Sequence, residues 1–432
     1  MSAFKILFMR NKIFSLPLSL LLVPVVALLW QGCAKDNCTS HYYFWEPVYK
    51  TTAEARANVK NNAARAIEKP GKIYIRGNYI FLNEIDRGIH IIDNTNPAAP
   101  RNIAFIDIPG NMDMAVKGNM LYADFYSDLA AINISNPLNV VVTKFTESVF
   151  PERAWGNNFS ANQGMTIVDW VRRDTTVAIN CSGSNNIFGG LEKRADILFL
   201  ASSQSGGANN AASSPFGMGG SMARFTIVNN HLYAVSQSDL NIVSVVNATD
   251  PVLSNRVSIG WGIETIYPFN NRLFIGSNAG MFVYDIANPT NPVKLSAFSH
   301  ARSCDPVIAD NNNAFVTLRS GTTCQGFSNQ LDVLDITNIT SPVLKKTYPM
   351  TNPHGLAKDG NTLIICDGKD GLKFYNAADV NTIKLLKTIS GIETYDVIAT
   401  NGWALVVAKD GLYQYDYRSL ADIKLLSKLT VQ

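Results

Sequence analysis

Asp113, Arg224, Glu264, Asp305, His354, Tyr395 and Asp396 combine residue types and spacing that could do chemistry. Each lies five or six residues before a short turn of Gly or Asn: Gly118-Asn119, Asn229-Asn230, Asn270-Asn271, Asn311-Asn312, Gly360-Asn361 or Asn401-Gly402. The common offset makes them equivalent positions in successive repeats, where repeats ordinarily keep residues alike. A histidine among carboxylates can move a proton or help hold a hard cation, and oxygen-rich sets favour calcium over zinc. Unlike polar residues at the mouth of a channel can also solvate strand ends or bind one another across a ring. A ligand site, a catalytic site and a purely structural ring are therefore all open at this point. His41, His90, His231 and His300 have no comparable company in the sequence.

Other chemical motifs fall short. Gly219-Gly220-Ser221-Met222-Ala223 approaches the nucleophile elbow of serine hydrolases, but that elbow needs a strand-turn-helix frame that a repeat of short strands lacks. Asp367-Gly368-Lys369-Asp370-Gly371 looks like the start of a calcium loop, yet it falls where each repeat turns between strands. Asp and Gly supply the positive backbone angles of a hairpin there. No C-x-x-C, H-E-x-x-H, phosphate-loop or dinucleotide pattern is present, and no cofactor is expected.

The elements that must position these residues come from an internal repeat. It reads Ile91-Ile92-Asp93-Asn94-Thr95-Asn96-Pro97, Ala131-Ile132-Asn133-Ile134-Ser135-Asn136-Pro137, Val245-Val246-Asn247-Ala248-Thr249-Asp250-Pro251, Val283-Tyr284-Asp285-Ile286-Ala287-Asn288-Pro289 and Val333-Leu334-Asp335-Ile336-Thr337-Asn338. Looser copies surround Asn376 and Asp416, and the anchors are spaced 40, 114, 38, 50, 41 and 40 residues apart. All but one spacing is close to one unit. A unit of about 40 residues with four short strands fits a propeller blade better than a helical solenoid. In the last unit the strands are expected at 396–400, 403–408, 412–417 and 423–429. The fold class is all-β: a β-propeller with blades starting near Gly71, Asn111, Ser221, Ile263, Cys304, His354 and Ile392. That gives seven blades, or eight if the insertion at about 151–220, between blades 2 and 3, holds a degenerate one. A capping box at Thr51-x-x-Glu54 predicts a short helix ahead of the first blade.

The N-terminus reads as an export signal. Lys5, Arg10 and Lys12 precede an uncharged stretch from Ile13 to Trp30. Leu29-Trp30-Gln31-Gly32-Cys33 resembles a bacterial lipoprotein cleavage box, with Trp30 where such boxes usually hold Leu. Residues 1–32 are thus expected as a lipoprotein signal peptide, Cys33 as the lipidation site, 33–70 as a tether with the short helix, and 71–432 as the propeller. Without the leader the chain has 34 basic and 34 acidic side chains, so no field draws it to nucleic acid. Six cysteines leave an odd number after Cys33, and Cys304 and Cys324, flanking a hairpin, are a disulfide candidate in an oxidising compartment.

The repeat resembles the LVIVD repeat of β-propeller lipoproteins of Bacteroidetes, as do Gly262-Ile263-Glu264-Thr265, Asn352-Pro353-His354-Gly355-Leu356 and Tyr413-Gln414-Tyr415-Asp416-Tyr417. Ala34-Lys35-Asp36-Asn37 is similar to the signal that sends such lipoproteins to the outer face of the outer membrane. The resemblance covers about residues 45–432 and implies a fold and a location, not an activity. The expectation is a lipid-anchored, surface-exposed binding or scaffolding propeller with a protein or glycan ligand. The alternative is a surface hydrolase or lyase acting on a glycan or small ester at the channel mouth.

Overall fold

The computed structural model describes residues 38–156, 159–160, 164–179, 218–299, 306–321 and 328–432. Cys33, Cys304, Cys324, Asp305 and most of the 151–220 insertion lie outside the described residues, as does the leader. Seven antiparallel units, each with four strands in sequence order, form a seven-bladed β-propeller. Their inner strands are Pro70–Arg76, Met114–Lys117, Phe225–Val228, Ile263–Phe269, Val307–Ala309, Leu356–Asp359 and Thr394–Thr400. The last blade continues through Trp403–Ala408, Gly411–Asp416 and Lys424–Thr430, within about two residues of the sequence expectation.

The repeat has a physical cause. At the end of the third strand in every blade but the third, an Asp or Asn side chain accepts the amide two residues on: Asp93 from Thr95, Asn133 from Ser135, Asp285 from Ala287, Asp335 from Thr337, Asn376 from Ala378 and Asp416 from Arg418. This turns the chain toward the outer strand. The next residue's amide reaches back to the first hairpin, as in Ile286 to Asn271 and Ile336 to Asn312. In blade 3 the sequence anchor is corrected by three residues. Ser244, not Asn247, ends the third strand opposite His231, and the Val245 amide donates to the Asn230 carbonyl. Asn247 instead caps the following turn through Thr249, the role of Asn96 and Asn288 in their blades. Tyr122 and Tyr233 donate from one blade to turn carbonyls of the next, Ala248 and Pro289, so the turn also joins neighbours.

Between blades the apolar faces bury Phe81, Phe105, Tyr122, Phe225, Phe274, Phe315 and Phe374, each worth about 1.5–3 kcal/mol of burial. The ring closes between blades 7 and 1: Ile67 bridges Val431, and Ser427 donates to the Pro97 carbonyl at 2.6 Å. Every outer strand carries a register shift against its third strand, and several add exposed lysines, which guards the outer edges against pairing with other chains.

The segment ahead of blade 1 differs from a tether. Cys38–Thr51 is a strand paired with Met165–Ile179, so the Met165 to Trp170 run belongs to a long two-stranded ribbon and not to an eighth blade. Residues 38–46 and 171–179 of this ribbon form a unit of their own, held in part by Glu46 and Arg173 at 2.7 Å. The helix spans Thr52–Arg56 with the Thr51–Glu54 capping box complete, and Lys60–Ala63 then adds a strand to the outer edge of blade 1.

Candidate functional site

Strand pairing fixes which residues face the propeller axis at one level. Counting five residues back from the first hairpin turn of each blade gives Lys72, Asp113, Arg224, Thr265, Pro306, Gly355 and Asp396. The pairing agrees: Thr265 stands opposite Gly276 and Asp396 opposite Val407, while Asp113, Arg224, Pro306 and Gly355 accept amides from Asp124, Val235, Thr317 and Cys366. Around blades 7, 1, 2 and 3 the charges alternate as Asp396, Lys72, Asp113 and Arg224, and all four are buried. Blades 4, 5 and 6 contribute no charge at this level. Lys72 was missed in the sequence because blade 1 was not aligned with the others, although Gly77-Asn78 supplies the same five-residue offset.

The ring is bound into the protein by hydrogen bonds. The Asp113 carboxylate accepts the Arg224 amide at 2.6 Å and the Met114 amide at 2.7 Å, and Arg224 donates to the Ile263 carbonyl at 2.9 Å. Asp124 receives the amides of Met112 and Asp113 and pairs with Arg153. Burial lifts the Asp113 carboxyl above its ordinary range against the opposing pull of Lys72, and lifts Asp396 well above it. Burial likewise draws the Lys72 ammonium down to about 8, although Asp113 and Asp396 favour its charge.

A short segment fills the space beside this ring. Met218–Gly219 pairs antiparallel with the inner strand of blade 1, opposite Ile75 and Tyr74. The chain then passes Gly220, where a Cβ would collide with the Asp396 carboxylate. The buried Ser221 hydroxyl accepts the Leu356 amide of blade 6 at 2.6 Å and donates to Asp396 of blade 7 at 3.3 Å. Lys72 of blade 1 donates to the Met222 carbonyl at 3.0 Å. Three blades are therefore joined through residues 218–222. Ser221 sits in this internal network, not on a strand-turn-helix elbow.

Glu264, His354 and Tyr395 each lie one residue before the ring, on the side where the inner strands begin. His354 and Tyr395 meet edge to face with ring centroids 5.4 Å apart. Asn352 donates to His354 Nε2 at 3.1 Å, which leaves Nδ1 as the protonated nitrogen of a neutral ring. Arg319 follows the second strand of blade 5. Its charge acts on His354, and it is itself acted on by Glu264 and Tyr395. Sequence reasoning missed Arg319 because it stands after a second strand, outside the aligned positions.

Burial, reinforced by Arg319, draws His354 down to about 3. Between that value and the unfolded histidine's value of about 6.5, the unfolded chain holds a proton that the folded chain refuses. Stability contributed by neutral His354 is complete above pH 6.5 and is lost as pH falls toward 3. Urea midpoints at pH 7 and pH 4.5 should therefore fall further for the wild type than for His354→Gln. Equal falls would contradict the assignment.

Other candidates resolve structurally. His90 does have company: its Nε2 meets the buried Glu84 carboxylate at 2.8 Å, with Arg65 and Arg87 on the same carboxylate. Asp367 and Asp370 both face Lys373, at 2.5 and 2.9 Å, inside a hairpin turn. No group of three or more His, Cys, Asp or Glu arranged to hold a metal occurs among the described residues. Cys366 is a free, buried thiol.

Four segments match the LVIVD repeat. They are residues 69–104, 110–143, 270–298 and 325–350, which fall in blades 1, 2, 4 and 5. Comparison with curated proteins returns no match. Among solved structures, a protein from Lactobacillus plantarum is similar at 14% identity, covering 84% of this chain and 97% of that one, with a TM-score of 0.50. PorZ, described as an essential bacterial surface component of the type-IX secretion system of Porphyromonas gingivalis, shares 13% identity over 84% of this chain and 39% of that one, at a TM-score of 0.46. A functionally unknown protein from Desulfotomaculum acetoxidans shares 12% identity over 84% of this chain and 95% of that one, at 0.46. Likeness at this level speaks to the fold alone.

Proposed function

We propose that this chain is a lipoprotein of the bacterial outer membrane, anchored through Cys33 and facing the cell exterior, whose propeller is a binding or scaffolding module. The observation that carries the binding reading is the commitment of the axial charges. Lys72, Asp113, Arg224 and Asp396 are buried and bonded to one another's blades or to residues 218–222, so they serve the ring. Polar groups that can meet a partner then lie at the mouth and on the loops around it, where a rigid scaffold presents them. Anchoring rests on the charged-then-apolar leader and the box ending in Cys33.

Two readouts test this proposal. Cells fed a clickable palmitate analogue should label the wild type and not Cys33→Ala, and protease added to intact cells should remove the wild-type propeller. Label retained by Cys33→Ala, or full protection from protease, would contradict the location. The hydrolase alternative predicts turnover of a glycan or ester that vanishes in His354→Ala, whereas a binding module predicts no turnover in either form.

A further inference from the structure

Two outer strands differ from the other five. In blade 5, Val343–Pro349 begins with five consecutive exposed residues, and in blade 6, Lys384–Ile389 begins with four. The outer strands of blades 1, 2, 3, 4 and 7 have no more than two in a row. Successive side chains of a strand point to opposite faces, so on these two strands neither face is covered by a neighbouring blade. The exposed runs contain Val343-Leu344-Lys345-Lys346 and Lys384-Leu385-Leu386-Lys387. Val343, Leu344, Leu385 and Leu386 are each between 45% and 61% exposed. Lys345 pairs with Asp335 at 3.5 Å, whereas Lys346, Lys384 and Lys387 form no ion pair with the described residues. The acids beside them are engaged elsewhere, Asp332 by Thr347 and Asp379 by the Asn381 amide and the Thr382 hydroxyl. The two strands are neighbours on the rim. The Tyr348 hydroxyl of blade 5 accepts the Ile383 amide at 3.0 Å and donates to the Val380 carbonyl at 2.7 Å, directly before Lys384.

We propose that the outer strands of blades 5 and 6 are a docking surface for an anionic lipid bilayer, with the aliphatic side chains in the boundary below the headgroups and the lysine ammoniums on lipid phosphates. This deepens the membrane location given above and rests on it. The composition favours a bilayer over a protein partner. The centre of a protein interface is depleted of lysine, whereas here every aliphatic residue has a lysine within two positions. A lysine can lay its stem along an apolar boundary and keep its charge among headgroups, so the same mixture suits a lipid surface. Three lysines without ion pairs complement anionic headgroups in charge.

The experiment is co-sedimentation of the full chain after leader removal, carrying Cys33→Ala so that no anchor contributes, with vesicles of stated composition. Vesicles of phosphatidylglycerol mixed with phosphatidylcholine should carry the protein down at low salt, and less of it at high salt. Vesicles of phosphatidylcholine alone should leave it in solution. Lys384→Gln with Lys387→Gln should weaken binding by about fivefold per charge removed. Leu385→Ser with Leu386→Ser should weaken it by about tenfold or more. All four side chains are exposed, so both variants leave the core intact. Val252→Ser, at the exposed start of the outer strand of blade 3, should bind as the parent chain does. No binding to the phosphatidylglycerol vesicles, equal binding to phosphatidylcholine alone, or an equal loss in Val252→Ser would overturn the surface. Undiminished binding by the leucine variant would also overturn it, marking instead a site for soluble polyanions. Such failure leaves palmitate labelling and surface protease sensitivity intact, so it is distinguishable from failure of the lipoprotein reading.

Discussion

Lys72→Met is expected to destabilise the propeller by about 3–5 kcal/mol, because it leaves buried carboxylates without their cation. Lys72 is 2% exposed and lies between Asp396 and Asp113 in the ring, so water cannot replace its charge. Methionine keeps the length of the side chain, which confines the change to the ammonium and its bond to the Met222 carbonyl. A double variant, Lys72→Met with Asp396→Leu, should recover part of the loss, since removing both partners also removes the uncompensated charge. The pH dependence carries a second signature. Lys72 titrates near 8 when folded and near 10.4 when unfolded, so between pH 8 and 10 the unfolded state binds more protons and stability contributed by this group rises. That rise should be present in the wild type and absent from Lys72→Met. Urea titrations at pH 7, 8 and 10 measure both effects; losses below about 1 kcal/mol at pH 7 would contradict the ring.

Gly371→Ala is expected to cost about 3–5 kcal/mol through strain and collision together. Gly371 has φ of +92°, and a Cβ there would run into the Ile389 carbonyl oxygen of the outer strand. The obstacle is backbone, so no side chain can move aside. Gly88 and Gly280, at the same place in blades 1 and 4, face the Ile106 and Phe298 carbonyls in the same way. Blade 2 holds Asp128 at this position, so the repeat admits a non-glycine residue when the turn is rebuilt around it. A midpoint in urea that shifts no more for Gly371→Ala than for an alanine at the open turn of Gly360 would contradict the account.

The fold was legible because its signals are local. An Asp or Asn that caps a turn, an Asn-Gly pair that adopts positive φ and alternating strands recur near every 40 residues, and they make equivalent bonds in most of the blades. The one displaced anchor, Asn247 for Ser244, arose because both the third-strand cap and the next turn use short polar side chains. The positions of Asp113, Arg224, His354 and Asp396 near the axis were legible for the same reason, as a constant offset from a turn. Their partners were not. Ser221 meets Leu356 across 135 residues, and Arg224 meets Asp113 across 111. Gly219 to Ala223 shows no strand pattern that would place it beside blade 1. Arg319, whose charge acts on His354, follows the end of a second strand, where no repeated feature marks it.

The most direct test of the axial arrangement is hydrogen exchange at neutral pH on peptides covering 219–225 and 354–358. The Leu356 amide has Ser221 Oγ as its acceptor, and the Arg224 amide has the Asp113 carboxylate. Both should exchange as slowly as the central strands of blades 6 and 3, at rates set by global opening. Exchange of the Arg224 and Leu356 amides within seconds, beside protected second strands, would show that the ring is not bound together in this way and would contradict the account.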